Sequence, residues 1–81
     1  MDIWELKKAL GARCRTLRKA RHESQLAFAL RIGMDRTEYC AIEHGKRDMK
    51  LSNLIKIALG NGITLIDLLD GLPMPSLEDL L

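Results

Sequence analysis

The chain is poor in aromatic residues. One Trp, one Tyr and one Phe among 81 residues mean that any core is mostly aliphatic. Only two cysteines occur, Cys14 and Cys40, each inside a helical pattern. With no Cys-x-x-Cys knuckle they do not assemble a zinc module with His22 and His44, and no metal is expected. No apolar run approaches the roughly 20 residues of a membrane span, so no membrane partner is expected. The N-terminal MDIWELKKALG alternates charge with apolar residues at helical spacing, unlike a signal peptide. Reduced thiols in a cytoplasmic protein are therefore the expected state. The chain lacks a Gly-rich phosphate loop, a nucleophile elbow and a histidine–carboxylate pair at helical spacing. These absences exclude the familiar enzyme classes and imply no cofactor and no small-molecule ligand. Strand-like alternation and internal repeats are also missing, which leaves an all-α fold.

Eighty-one residues suit one domain, which buries roughly 60–65% of its unfolded surface. Apolar residues make up 47% and charged residues 30%, a globular balance. The net charge of +2 hides an asymmetry. Residues 1–50 carry 12 Lys/Arg against 7 Asp/Glu (net +5), whereas residues 51–81 carry 1 against 4 (net −3). A basic front and an acidic back fit a polyanion on one side and a protein partner on the other.

Five helices are predicted, at 3–20, 25–32, 36–44, 51–59 and 65–70. Asp2 with Glu5 forms an N-cap and capping box for the first, whose apolar stripe is Leu6, Leu10, Cys14 and Leu17. Lys7, Lys8, Arg13, Arg15, Lys19 and Arg21 occupy its other face. Ser24 caps the second helix, so rich in apolar residues that packing on more than one side is expected. Gly33 ends it, Asp35 caps the third, and Tyr39 and Ile42 face inward. In the fourth, Leu54, Ile55 and Ala58 are the expected inward residues. Thr64 and Asp67 form a capping box for the fifth. A tail with Pro73 and Pro75 follows, with Ser76 as cap of a final apolar turn.

Residues 24–47, SQLAFALRIGMDRTEYCAIEHGKR, supply the parts of a helix-turn-helix. Two helices must cross steeply over a short turn. Ala29 is small where they approach, Gly33 tolerates positive φ at the turn, and Tyr39 and Ile42 pin the second helix to the core. With these residues in view, residues 10–69 resemble the Cro and lambda-repressor type of domain, also called Xre-like. The likeness runs through LGARCRTLRKAR, SQLAFALRIG, DRTEYCAIEHGKR, LSNLIKIA and ITLIDLL. DRT and IEHGKR also look like the controller proteins of restriction-modification systems, which are short dimeric regulators.

The resemblance implies a five-helix lambda-repressor-like domain over 1–71, with the reading unit at 25–44 and a tail, 72–81, available for a dimer contact. It implies that the third helix enters the major groove of double-stranded DNA, with Arg36, Thr37, Glu38 and Ala41 outward. Gln25 matches a position that contacts phosphate or orients a neighbouring reader, and it counts with Arg36, Thr37, Glu38 and Arg47 among the candidate base-reading residues. Ser24, His44 and Lys46 lie near the backbone. Arg18 and Glu43 match a basic–acidic brace between the first and third helices.

Side-chain chemistry fits part of this. Arg36 can donate twice to guanine, and Thr37 can meet a thymine methyl. Lys46, Arg47 and Lys50 can hold flanking phosphates, and Arg47 can also reach bases. Glu38 is awkward on a DNA face unless it accepts from cytosine or pairs with Arg36 or a nearby lysine, and Ala41 is too short for hydrogen-bonded readout. The expected function is a sequence-specific transcriptional regulator acting as a homodimer on a palindromic operator. Leu65, Leu68, Leu69 and Leu72, with Leu77, Leu80 and Leu81, are the expected source of dimer contacts. The alternatives are a degenerate helix-turn-helix used as a protein-interaction module and an antitoxin-type autorepressor. Asn61 stands where the family places an apolar residue, with Leu59 as a candidate to compensate.

Overall fold

The computed structural model describes residues 2–81; Met1, inside the expected 1–71 domain, lies outside them. Among the described residues the order is α1 (Ile3–Ala20), α2 (Gln25–Ile32), α3 (Arg36–Glu43), α4 (Leu51–Gly60), α5 (Leu65–Leu69) and α6 (Leu77–Leu80), with no strand. The sixth helix is the apolar turn expected after Ser76.

Short polar side chains start most of these helices by accepting otherwise orphaned N–H groups. Asp2 accepts from the Glu5 N–H at 3.0 Å, Ser24 from Ala27 at 3.0 Å and Asp35 from Glu38 at 3.1 Å. Reciprocal capping boxes, Thr64 with Asp67 and Ser76 with Asp79, open α5 and α6. Gly33 ends α2 in the left-handed region, with φ 70° and ψ 38°. Its N–H reaches the Leu30 carbonyl and that of Met34 reaches Ala29, a Schellman closure. Lys56 of α4 then donates to the Gly33 carbonyl at 3.2 Å and ties the turn to the body.

α1 packs on α3, α2 on α3 and α4, and α4 on α5. Between them lie Leu10, Cys14, Phe28, Ala29, Met34, Tyr39, Ile42, Ile57, Ala58 and Leu68. The Phe28 and Tyr39 rings meet 5.0 Å apart across the α2–α3 crossing.

Three expectations change. The inward face of α4 carries Ile57 with Leu54 and Ala58, whereas Ile55 joins Leu51 and Leu59 in an exposed stripe at i, i+4 and i+8. Packing against both α2 and α5 sets that rotation. α2 turns Leu26 and Leu30 to solvent instead of burying them on a second side. Asn61 is satisfied at one end only: its Nδ2 donates to the Ile57 carbonyl at 2.9 Å, its buried Oδ1 has no hydrogen-bond partner among the described residues, and Leu59 is exposed instead of compensating.

Candidate nucleic-acid interface

The position of α3 depends on a buried polar chain. The Arg18 guanidinium grips Glu43 at two points, Nε to Oε2 at 2.7 Å and Nη2 to Oε1 at 3.0 Å, while Nη1 donates to the Glu23 carbonyl at 2.8 Å. Gln25 Nε2 donates to the same Glu43 Oε1 at 3.1 Å, and Gln25 Oε1 accepts from the Cys40 thiol at 3.0 Å. One network therefore joins the C-terminal part of α1, the first residue of α2 and two residues of α3. Burial pushes the Glu43 carboxyl upward, but Arg18, with the neighbouring Tyr39 hydroxyl and Gln25, outweighs it and holds the group below the usual carboxylate value. Glu43 in turn raises Arg18. Gln25 is half-buried with both ends of its amide engaged, so it fixes α2 against α3.

Outside this network α3 presents its N-terminal end. Arg36 and Thr37 are exposed, and Arg36 has no ion pair or side-chain hydrogen bond among the described residues. Ala41 is half-buried. Glu38 pairs with Arg47, Nη1 to Oε2 at 3.0 Å, and not with Arg36 or a lysine. Ser24, His44, Lys46 and Lys50 are exposed as well, with Ser24 at the start of α2 and His44 capping the C-terminal end of α3, opposite Arg36. The Ser24 oxygen caps α2, which leaves its O–H free to donate outward. His44 Nδ1 lies 2.7 Å from the Cys40 carbonyl and must be the donor there. In the neutral ring Nε2 is then an acceptor, so His44 donates to a phosphate only as the imidazolium.

The basic face of α1 divides. Lys7 pairs with Asp48 at 2.8 Å and stacks over Trp4, Arg21 pairs with Glu23, and Arg13 donates to the Leu68 carbonyl at 3.0 Å and to that of Asp70. Arg13 thereby satisfies carbonyls at the end of α5. Lys8, Arg15 and Lys19 stay exposed and without a partner among the described residues.

The apolar residues expected at a dimer contact separate as well. Leu68 is 0% exposed inside the monomer, and Leu65 and Leu72 pack against the same core, so Leu69 at 39% is the one of the four left with substantial surface. Cys14 is fully buried, and burial, reinforced by the Glu43 carboxylate, pushes its thiol up to about 12. No group of three or more His, Cys, Asp or Glu among the described residues is arranged to hold a metal. No helix of the described residues is long and apolar enough to cross a membrane.

Two contributors escape sequence reasoning. A Cβ on Gly11 would lie 2.5 Å from the Ile42 carbonyl oxygen and 2.6 Å from that of Glu43, so Gly11 lets α1 touch the backbone of α3. A glycine inside an otherwise regular helical stripe was the signal for it. The Cys40 thiol, a support for Gln25, left no sequence signal.

This is the geometry of a helix-turn-helix domain, and the Helix-turn-helix family model matches residues 15–68. The chain belongs to that family, in its Xre-like branch. It is 46% identical over 65 residues to the control protein C.MunI of a Mycoplasma species, a match covering 79% of this chain and 88% of that protein. Among solved structures it is similar to the restriction-modification controller protein C.AhdI from Aeromonas hydrophila, with 36% identity and a TM-score of 0.71 over 78% of this chain and 94% of that one. The hypothetical transcription factor NHTF from Neisseria matches with 31% identity and a TM-score of 0.75 over 99% of this chain and 87% of that one.

Proposed function

We propose that this chain is a sequence-specific DNA-binding transcriptional regulator of the restriction-modification controller type, working in the cytoplasm as a homodimer on a palindromic operator. The observation that carries the reading is Arg36. It is an exposed guanidinium without a partner among the described residues, at the N-terminal end of a helix clamped by Arg18, Glu43, Gln25 and Cys40. A free fork on a fixed helix suits guanine O6 and N7 in the major groove, and the neighbouring Thr37 can meet a thymine methyl. Exposed Ser24 at the start of α2 and His44, Lys46 and Lys50 after α3 serve as phosphate contacts, with Gln25 orienting the two helices. The pairing of Glu38 with Arg47 removes the main objection to a DNA face, a lone negative charge, and with it the main support for a protein-interaction module. For the homodimer the support is apolar surface: Leu51, Ile55 and Leu59 on α4, and Ile66 and Leu69 on α5.

The test is selection from a random duplex library at two salt concentrations. A palindromic site bound far more tightly than bulk DNA, with a salt-dependent constant, is expected. Arg36→Ala is expected to cost about 1–3 kcal/mol on that site and to relax one position within each half. Failure to enrich any sequence would favour the interaction module.

A further inference from the structure

Arg47 leaves a segment that is fastened on both sides. Before it, Gly45 lies with φ +69° against α1, where a Cβ would come within 2.8 Å of the Lys8 Cα. After it, Asp48 pairs with Lys7 at 2.8 Å and Met49 packs against the core. From this anchored backbone the side chain runs back to α3, and Nη1 donates to Glu38 Oε2 at 3.0 Å. Nε and Nη2 have no partner among the described residues, and they form the parallel fork along one edge of a guanidinium. That fork matches guanine O6 and N7. A carboxylate on this surface repels phosphate, so binding is penalised whenever Arg47 abandons Glu38 for the backbone. We propose that Glu38 is a positioning residue: it reads no base itself but holds Arg47 against α3 so that Arg47 reads a guanine. This rests on the DNA-binding reading above.

The experiment measures wild type, Glu38→Gln, Arg47→Ala, Arg47→Lys and Glu38→Gln/Arg47→Ala on the selected site, on all its single base-pair replacements and on random duplex. Arg47→Ala is expected to flatten preference at one G·C pair by about 5- to 150-fold. Glu38→Gln should flatten the same pair, on the order of tenfold, while random duplex binds more tightly because a negative charge is gone. Arg47→Lys should keep random-duplex affinity and lose the preference, since an ammonium has no fork. In the Arg47→Ala background Glu38→Gln should leave the profile unchanged. Uniform loss on every sequence for Arg47→Ala would make Arg47 a phosphate contact and overturn the proposal. So would flattening at a different pair in Glu38→Gln, which would make Glu38 a base reader, or an unchanged Glu38→Gln profile. A wild type with no preferred site would overturn the regulator reading and this proposal together, whereas a preferred site with an unchanged Glu38→Gln profile overturns this proposal alone.

Discussion

Removing the Arg18 guanidinium leaves the Glu43 carboxylate, at a side chain only 2% exposed, with neutral neighbours alone, the Gln25 amide and the Tyr39 hydroxyl. An uncompensated buried charge is costly, so Arg18→Met is expected to lower stability by about 3–5 kcal/mol in urea unfolding. The pH dependence separates lost charge pairing from lost packing. In the wild type the folded Glu43 carboxyl lies below its ordinary 4.5, so its contribution is complete above that pH and is lost as pH falls through the lower folded value. Without Arg18, burial is expected to outweigh the neutral donors that remain, so that the folded carboxyl holds its proton more tightly than the unfolded one. The sign then reverses, and the variant gains on acidification. Parallel curves of urea midpoint against pH for wild type and variant would reduce the pair to packing alone. The pairing of Arg18 with Glu43 is legible in the sequence through the resemblance. The attachment of Gln25 and Cys40 is not, because it depends on how α2 and α3 are rotated about their axes, which residue spacing leaves open.

A glycine inside a helix ordinarily weakens it by about 1 kcal/mol relative to alanine, and Gly11 sits well inside α1. Its position against the Ile42 and Glu43 carbonyls reverses the usual consequence of replacing it. Gly11→Ala is expected to force α1 from α3 and to destabilise by about 1–3 kcal/mol. Tm should fall by about 4–8 °C for each kcal/mol. A Tm that rises in calorimetry, as helix propensity alone demands, would refute the close approach. The contrast shows what an element discloses about itself. Helix ends are legible because a cap joins residues three apart, as Ser24 with Ala27, Asp35 with Glu38 and Thr64 with Asp67 do. Helix faces are less so when apolar residues outnumber inward positions. α4 offers Leu51, Leu54, Ile55, Ile57, Ala58 and Leu59, and its contacts with α2 and α5 decide that Ile57 goes in and Ile55 out. The same surplus misleads for α2, where Leu26 and Leu30 remain outside. Nor do runs of cations disclose their use: Lys7 and Arg13 serve the fold, while Lys46 and Lys50 stay exposed without a partner among the described residues.

At the scale of the whole molecule, a net +5 over residues 1–50 and −3 over 51–81 separates the half that contains α2 and α3 from the half that carries the exposed stripe of α4 and the outer face of α5. Self-association through that acidic half would leave both copies of α3 uncovered, and a two-fold pair would set half-sites about one DNA turn apart. Two α5 residues distinguish a surface that joins copies from a core that merely holds one copy together. Ile66 is 79% exposed and Leu68 is 0% exposed. Ile66→Glu is expected to keep the monomer folded, with wild-type helical circular dichroism, and to sediment at the 9.2 kDa of one chain at micromolar concentrations where the wild type sediments at twice that mass. Its operator affinity should fall, because the second half-site is no longer tethered to the first. Leu68→Ala is expected to lose about 2–5 kcal/mol of stability from the cavity it leaves. Association should then decline only in step with the folded fraction. A wild type that stays at the monomer mass would sink the dimer. A dimer that survives Ile66→Glu would move the contact off the outer face of α5, toward the tail, where Leu77, Leu80 and Leu81 are also exposed.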